Sequence, residues 1–523
     1  MKTFWVQTLG CKVNHYESEQ IATLLRSRGL IQTRDPAGAD LRVVNTCSVT
    51  VEAAAKSRQT ARRLVRLPLL DSAFAPQPEH GVSSSPRRPR VIVTGCWATS
   101  DPSTAAGLPG VDAVLTHHGD VAADLDRLLI AWRDELPVAS PPEPFGNEGR
   151  MIEAGSAAGD ATDARTRTSK AESIGNVNAK LPPRRQISGL PETGKGRGTT
   201  TLPLLGGHQS GRQRAVLKVQ DGCDAHCTYC IIPKLRPSLW SKPVEEVVEE
   251  ARRLVGAGHV EIVLTGIFLG AYGQPTALRR RQPGGEREPL GRLVESLCTR
   301  VPGLRRLRLS SLEPGDMTGE LLAVLRGHGQ VVPHFHLPLQ SGSDVLLRRM
   351  NRQYGREDFL RMVDRVRAAF DRPALTTDVI VGFPGESDEE FYRTLEVVEH
   401  ARFVHVHAFP FSPRPGTAAA RWGDRFVPGR VVNQRVETLG RRAEEHGFAF
   451  RREFVGEVVE LLVEEGEEKD GVRHGRSERY FDVHFDAAGA RAGDFVRVRV
   501  ERVTPRRTHG TLVGPVGPAG EAA

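Results

Sequence analysis

The chain carries no run of 18 or more apolar residues, so no transmembrane helix and no membrane partner are expected. Its opening residues, MKTFWVQTLGC, lack the long apolar stretch of a secretory signal, and the cytoplasm is the expected compartment. Cysteine is scarce. Seven in 523 residues are too few for a disulfide scaffold, and an odd number excludes complete internal pairing. Charge of one sign does not dominate: 72 Lys and Arg against 64 Asp and Glu leave +8, a mildly basic balance compatible with nucleic acid without establishing it. Aromatic residues are nearly missing between positions 136 and 214, where Phe145 is the only one. That stretch is rich in Gly, Ala, Ser, Thr, Pro and mixed charges. It cannot bury enough apolar surface to offset its ordering entropy, so it reads as a disordered linker. Its charges form no block of one sign, which favours a spacer over an RNA-attracting tether.

What is present alternates. At about 150 residues per domain the length predicts three or four domains. Residues 3–8, 41–45 and 91–94 read as short strands, with helical periodicity over 15–28 and 51–67 and a weak helical segment after the third strand. This pitch implies βαβ units and a Rossmann-like parallel sheet over residues 1–135, interrupted by a Pro/Ser-rich loop insertion at 68–90. A second domain starts at 215. Strand candidates at 215–219, 261–265, 306–312, 334–339, 377–381 and 405–409 are separated by amphipathic helices that include 244–256, 290–300 and 386–400. Six βα units predict a (βα)6 partial TIM barrel over 215–450. From 453 to 516 the segments GEVVELLVEE, ERYFDVHF and DFVRVRVERV alternate apolar and polar residues, as in a small antiparallel β-barrel. The fold class is therefore α/β with an appended all-β domain.

The cysteines fall into sets. Cys223, Cys227 and Cys230 occupy CDAHCTYC, directly after the first barrel strand. Three thiolates in eight residues can wrap one small inorganic centre, and a four-iron cluster held by three protein ligands keeps one iron open. A zinc site would need a fourth ligand, and His226, between the cysteines, is badly placed to be one. Cys11, Cys47 and Cys96 each follow a strand of the N-terminal sheet within three residues. The C-terminal strand ends of an open parallel sheet lie along one edge, so these cysteines are expected together in space as ligands of a second iron–sulfur cluster. Three unrelated cysteines would have to share that topological position by chance. Cys298, in RLVESLCTRV, lies on the apolar side of a helix and reads as a buried thiol. His334 and His336 of HFHLPLQ are expected on opposite sides of a strand.

CxxxCxxC after the first strand of a six-fold βα barrel resembles the radical S-adenosylmethionine (SAM) superfamily. The resemblance implies that the open iron chelates SAM and that an electron, from a donor the sequence does not identify, cleaves it to a 5′-deoxyadenosyl radical. It also implies SAM contacts from Tyr229, from Thr265 and Gly266 at the second strand's end, from Ser311 and Glu313 at the third, and from Val381, Gly382 and Phe383 at the fifth. Taken with the N-terminal cysteines, the blocks TLGCKVNHYESE, VVNTCSVT, VTGCWA, RLRLSSLEP, HLPLQSGSDVLLRRMNR, DVIVGFPGE and FPFSPRPGTAA are similar to the methylthiotransferases within that superfamily. Two 4Fe-4S clusters and SAM are the implied cofactors. One SAM methylates sulfur held on the auxiliary cluster, and a second yields the radical.

The tail resembles the RNA-binding TRAM domain, with Arg473, Arg476, Arg479, Tyr480, Arg506 and Arg507 as implied RNA contacts, and with His474, Phe481 and His509 among them. TLGCKVNHYESE and RLRLSSLEP most resemble the branch acting on C2 of N6-threonylcarbamoyladenosine at tRNA position 37. Isopentenyladenosine in tRNA and an aspartate of a ribosomal protein are the alternatives within the family, and a zinc-bearing RNA-binding protein without catalysis is the alternative outside it. One departure stands out. After CTYCIIP the family's Tyr-Ala-Arg-Gly-like run is replaced by Lys234-Leu235-Arg236-Pro237-Ser238, which keeps the arginine but puts proline where glycine is usual.

Overall fold

The computed structural model describes residues 1–70, 88–134, 202–207, 213–278, 289–466, 471–486 and 489–516. Most of the expected 68–90 insertion and of the 136–214 linker lies outside the described residues.

The N-terminal domain is a five-stranded parallel sheet: β1 (Thr3–Thr8), β2 (Ile31–Gln32), β3 (Leu41–Thr46), β4 (Arg90–Gly95) and β5 (Ala113–Val114), in the order β2-β1-β3-β4-β5. β3 is buried at every position, as a central parallel strand covered on both faces should be. The helix α1 (Lys12–Ser27) follows β1, and α2 (Val51–Arg66) follows β3. The Thr50 hydroxyl caps α2 by accepting from the Ala53 amide at 3.0 Å. The last turn of α2 is held by buried Arg42, whose guanidinium donates to the carbonyls of Leu64 at 2.6 Å, Pro68 at 3.0 Å and Pro36 at 2.7 Å. Carbonyls left unpaired at a helix end thus meet a charged donor.

The central domain has β6 (Ala215–Asp221), a short antiparallel partner β7 (Trp240–Ser241), then β8 (Glu261–Gly266), β9 (Arg306–Leu309), β10 (His334–His336), β11 (Ala374–Val381) and β12 (His405–Pro410). The orders β7-β6-β8-β9 and β10-β11-β12 meet through a parallel bridge between Leu307 and Val331 and through the Leu312 amide donating to the His336 carbonyl at 3.1 Å. Six parallel strands make a partial barrel. Leu217, Leu264, Leu307, Phe335, Val379 and Val406 point outward into one core with the surrounding helices. At roughly 1.5–3 kcal/mol per buried side chain, this layer dominates the domain's stability. The alternate positions face the lumen and include the polar side chains of Glu261, Arg308, His334, His336, Asp378 and His407. His334 and His336, two residues apart, share this face, contrary to the expectation of opposite sides, because side chains alternate with period two.

β13 (Val458–Val463), β14 (Val472–Ser477), β15 (Asp482–Asp486), β16 (Phe495–Val503) and β17 (Thr508–Pro515) close a barrel in the order β13-β14-β15-β17-β16. Its pairs are antiparallel except β15 with β17, which is parallel at His484–His509. Phe454, Leu461, Phe481, Val483 and Val498 fill it. Among the described residues no helix is long and apolar enough to cross a membrane.

This small barrel docks on the N-terminal strand ends of the central one. Arg308 donates to the carbonyls of Ser477 at 2.8 Å and Glu478 at 2.7 Å, and Arg306 donates to that of Glu460 at 2.6 Å. Tyr480, in the left-handed region at φ 70°, lies stacked on His334 with ring centroids 4.5 Å apart. Guanidiniums of Arg308 and Arg476 lie 5.1 and 4.5 Å from its centroid. Arg479 donates to the carbonyls of Arg372 at 3.0 Å and Asp371 at 3.1 Å. Of the expected RNA contacts, Arg479 and Tyr480 reach the central domain, the Arg476 side chain pairs with Asp482 at 3.0 Å inside the small barrel, and Phe481 lies in its core. Replacing Tyr480 with alanine removes the stacked ring and is expected to cost about 2–3 kcal/mol, read as an earlier thermal unfolding transition.

Candidate active site

The three N-terminal cysteines lie within electrostatic reach of one another. Cys11 immediately precedes α1, Cys47 follows β3, and Cys96 opens a short helix, Cys96–Ser100, after β4. Cys47 and Cys96 are buried, while Cys11 is exposed. Burial pushes the Cys96 thiol up to about 12, and the neighbouring Cys11 and Cys47 push the same way. Asn14 stitches the loops, donating to the carbonyls of Leu9 at 2.8 Å and Thr46 at 2.9 Å. Two glycines let the thiols approach. A Cβ on Gly10, at φ +107°, would sit 2.9 Å from the Cys47 Cβ and 3.1 Å from its Sγ. A Cβ on Gly95, at φ +92°, would sit 2.3 Å from the Asn45 Oδ1 and 2.5 Å from the Thr46 carbonyl. Gly95→Ala is expected to cost about 3 kcal/mol in strain and overpacking and to lower the iron bound per chain, checked by denaturant unfolding and iron analysis.

The second triad lies in the loop after β6. Cys223 Sγ accepts from the Ala225 amide at 3.4 Å, and Cys227 Sγ from Arg352 Nη1 at 3.1 Å. Burial pushes Cys223 up to about 11 and Cys230 to about 12, with Cys227 adding to both. Such thiols become thiolates only against a strongly cationic centre. Among the described residues no three His, Cys, Asp or Glu close on a single ion. Three thiols are the soft donor set that iron–sulfur centres take. His226 is an exposed turn residue at φ 30° whose carbonyl accepts from Asn351 at 3.1 Å.

Of the residues expected to contact SAM, Tyr229 and Glu313 are linked to this triad through Arg352. Glu313 is paired with Arg352, which also reaches the Tyr229 hydroxyl at 3.4 Å. Thr265 is buried, and Ser311 is half-buried. Gly266 abuts Gln220, leaving 2.8 Å between a would-be Cβ and Oε1. Val381 and Phe383, by contrast, turn their side chains into apolar clusters, so they offer a ligand only backbone. Gly382, at φ +75°, lies against Val432, and its amide donates to Glu386 at 2.7 Å.

Sequence reasoning missed the connection between the triads. The backbone carbonyl of Arg236 accepts from the Cys223 amide at 3.1 Å. Its guanidinium grips Glu17 of α1 at 2.7 and 2.8 Å, Asp221 at 2.8 Å and His117 Nε2 at 2.9 Å. His117 Nε2 lies 3.9 Å from Cys96 Sγ. Lys218 completes the cluster with Glu17 at 2.8 Å and Asp221 at 2.7 Å. Burial opposes ionisation of both carboxylates, but Arg236 and Lys218 win, holding Glu17 well below its ordinary range and Asp221 at about 2. Burial and Arg236 together hold His117 down to about 4, so Nε2 is a neutral acceptor near neutral pH. The backbone of Ser238 and Leu239 packs onto Gly222, where a Cβ would come within 1.9 Å of the Ser238 carbonyl oxygen. The only signal available in the sequence was the retained arginine itself. Cys298 is buried, as expected, and desolvation pushes its thiol up to about 12.

Three family models match the chain in order: "Uncharacterized protein family UPF0004" over residues 3–116, "Radical SAM superfamily" over 217–398 and "TRAM domain" over 452–513. The chain is thus a radical SAM enzyme, with an iron–sulfur cluster and SAM as cofactors, joined to a TRAM barrel. It is 33% identical over 96% of its length to the threonylcarbamoyladenosine tRNA methylthiotransferase MtaB of Bacillus subtilis, covering 94% of that protein, and equally identical to that of Thermotoga maritima, covering 95%. It is also 33% identical, over 96% of its length, to the tRNA-2-methylthio-N(6)-dimethylallyladenosine synthase of Acidothermus cellulolyticus, covering 86% of it. The chain belongs to the radical SAM tRNA methylthiotransferases, and the non-catalytic zinc alternative falls. Among solved structures, the radical SAM methyltransferase TsrM of Kitasatospora setae aligns at a TM-score of 0.48 with 13% identity, covering 91% of this chain and 77% of that one.

Proposed function

We propose that the chain transfers a methylthio group to C2 of N6-threonylcarbamoyladenosine at position 37 of tRNA, with two 4Fe-4S clusters and SAM. The observation that carries the reading is the pair of cysteine triads tied together through Arg236, with relatives of both printed specificities spanning nearly the whole chain. An adenine C2–H bond yields to no acid–base pair at neutral pH, and the clusters with SAM supply the radical and the sulfur when bound. The chain's own part is positioning. Cys223, Cys227 and Cys230 hold the radical-generating centre and Cys11, Cys47 and Cys96 the sulfur-bearing one. The Glu17–Arg236–Asp221 cluster fixes their separation, and Arg352 neutralises Glu313 beside Tyr229.

The RNA-facing residues of the TRAM barrel, in this reading, are Arg497, Arg499, Arg502, Arg506 and Arg507, all exposed along β16 and the turn after it. Alternation on β16 sends Val496, Val498 and Val500 inward and leaves arginines outside. Replacing Arg497, Arg499 and Arg502 with serine should reduce the slope of log K against log salt by roughly 2 in a tRNA-binding titration, as expected for lost contacts to loop phosphates. The substrate itself is tested by incubating the reconstituted protein with SAM, a reductant and tRNA bearing either threonylcarbamoyl- or dimethylallyladenosine. Methylthiolation of the first is expected; turnover of the second alone overturns the assignment.

A further inference from the structure

A cavity of about 440 Å³ opens beside the turn that follows the second cysteine triad. One wall is Lys234, in the turn Ile232–Leu235. The other is the loop after β12, which contributes Pro413, Pro415, Gly416 and Thr417, and then Arg421 from the short turn Ala419–Arg421. This loop is stiff. Two prolines fix their own φ angles, and the Thr417 amide and hydroxyl both donate to the Arg414 carbonyl, at 3.0 and 2.8 Å. Gly416, at φ +89°, lets the lysine approach: a Cβ there would sit 3.2 Å from Lys234 Nζ and 3.6 Å from Ile231 Cδ1.

The walls are tied to both cysteine sets. On the lysine side, Ile231 and Leu235 pack with Cys96. Across the cavity, the Ala419 amide donates to the Thr228 carbonyl, inside CDAHCTYC, at 2.9 Å. The same loop reaches the segment just after Cys47: Arg414 Nη1 donates to the Thr50 carbonyl at 3.2 Å, and the Ser412 hydroxyl accepts from the Val51 amide at 2.9 Å. A group seated in the cavity is therefore fixed in position relative to both triads.

Charge decides what that group is. Lys234 and Arg421 are exposed, and among the described residues no acid lines the cavity and neither cation has an ion-pair partner. Lys234 falls where the tyrosine of the family's Tyr-Ala-Arg-Gly-like run would stand, so this charge belongs to the chain's departure from that run. Two cations lining one cleft with apolar proline walls focus a positive potential. Lysine meets a phosphate as a point charge and arginine through its planar fork. Cations open to solvent at a rim suit an RNA backbone phosphate, which sets register while the base goes deeper.

We infer that this cavity receives a backbone phosphate of the substrate RNA, flanking the nucleotide to be modified and held by Lys234 and Arg421. The inference rests on the proposed function for its RNA and is the same whichever modified adenosine that RNA carries. The two residues bind and position.

The test is equilibrium binding of the full-length reconstituted protein to synthetic anticodon stem-loops, titrated with salt, with single phosphates around position 37 replaced in turn by neutral methylphosphonates. Lys234→Met/Arg421→Met should weaken binding of the unaltered stem-loop roughly tenfold and reduce the slope of log K against log salt by roughly 0.7, the share of one phosphate in an unpaired strand. At one position a methylphosphonate should weaken wild type comparably and leave the double variant within about twofold. The double variant's loss should be equal for stem-loops carrying threonylcarbamoyladenosine or plain adenosine. Iron per chain is measured alongside, because Lys234 follows Cys230 by four residues. Should the double variant lose iron, Arg421→Met alone takes its place, with an expected loss of about threefold. Unchanged affinity, or methylphosphonate effects as large in the variant as in wild type at every position, overturns the inference and leaves the function standing. A loss confined to the threonylcarbamoyl stem-loop places the nucleoside's carboxylate in the cavity and overturns it as well. Absence of salt-dependent binding by wild type overturns the function beneath it.

Discussion

Replacing Cys223, Cys227 and Cys230 with alanine is expected to leave about half the iron of the reconstituted wild type and to abolish formation of 5′-deoxyadenosine, since one centre with three ligands is removed and the other kept. Replacing Cys11, Cys47 and Cys96 should also leave about half the iron, but with 5′-deoxyadenosine still produced and no methylthiolated product. The asymmetry follows from position. The first triad lies beside Tyr229, Glu313 and Arg352, the second behind Gly10, Gly95 and Asn14 in another domain. If the first variant retained no iron at all, the auxiliary centre would not exist as described. Iron and sulfide analysis with chromatography of SAM products decides between these outcomes.

Arg236→Met should be the most destabilising single substitution outside the two cores, at about 3–5 kcal/mol, because it leaves Glu17 and Asp221 buried with Lys218 as their remaining cation. Adding Glu17→Gln removes one stranded charge and should recover part of the loss, a coupling that a double-mutant cycle measures. The same cluster sets an acid limit. Asp221 is held at about 2 in the folded chain, below the ordinary 3.8 of an unfolded aspartate. A depressed carboxylate contributes stability that is present above its unfolded value and is lost as pH falls through its folded one. Stability should therefore decline between about pH 4 and pH 2 in wild type, and this decline should shrink in Asp221→Asn. Thermal unfolding across that range, in protein free of clusters so that their own acid lability does not intrude, is the measurement. A decline of equal size in both proteins would remove Asp221 from the account.

Where the sequence was legible, a single physical signal spoke alone. The helix Val244–Gly256 was bounded correctly because its apolar positions recur at helical spacing and Pro243 precedes it. The proximity of Cys11, Cys47 and Cys96 follows from the convergence of strand ends in a parallel sheet. Boundaries failed where a local rule intervened. β10 stops at His336 rather than 339, since Pro338 has no amide to donate to a ladder. α1 starts at Lys12 rather than 15, with the His15 amide already donating to the Cys11 carbonyl at 3.1 Å. β2 and β5, two residues each, are too short to show any period. β14 and β17 carry glycines and polar residues instead of clean alternation. Function failed to read where it depends on a partner surface. Arg479 and Tyr480 look like RNA contacts in one dimension, and only the docked arrangement shows them against the central barrel. Arg236 likewise carried no hint that its carbonyl and its guanidinium serve different cysteine sets.

The most direct test of the central claim is mass spectrometry of tRNA nucleosides from a strain lacking the gene, complemented with wild type or with the Cys11→Ala/Cys47→Ala/Cys96→Ala variant. The account predicts that 2-methylthio-N6-threonylcarbamoyladenosine disappears in the deletion, with its unmethylthiolated precursor accumulating, and returns with wild type but not with the variant. An unchanged nucleoside profile in the deletion, or restoration by the variant, would contradict it.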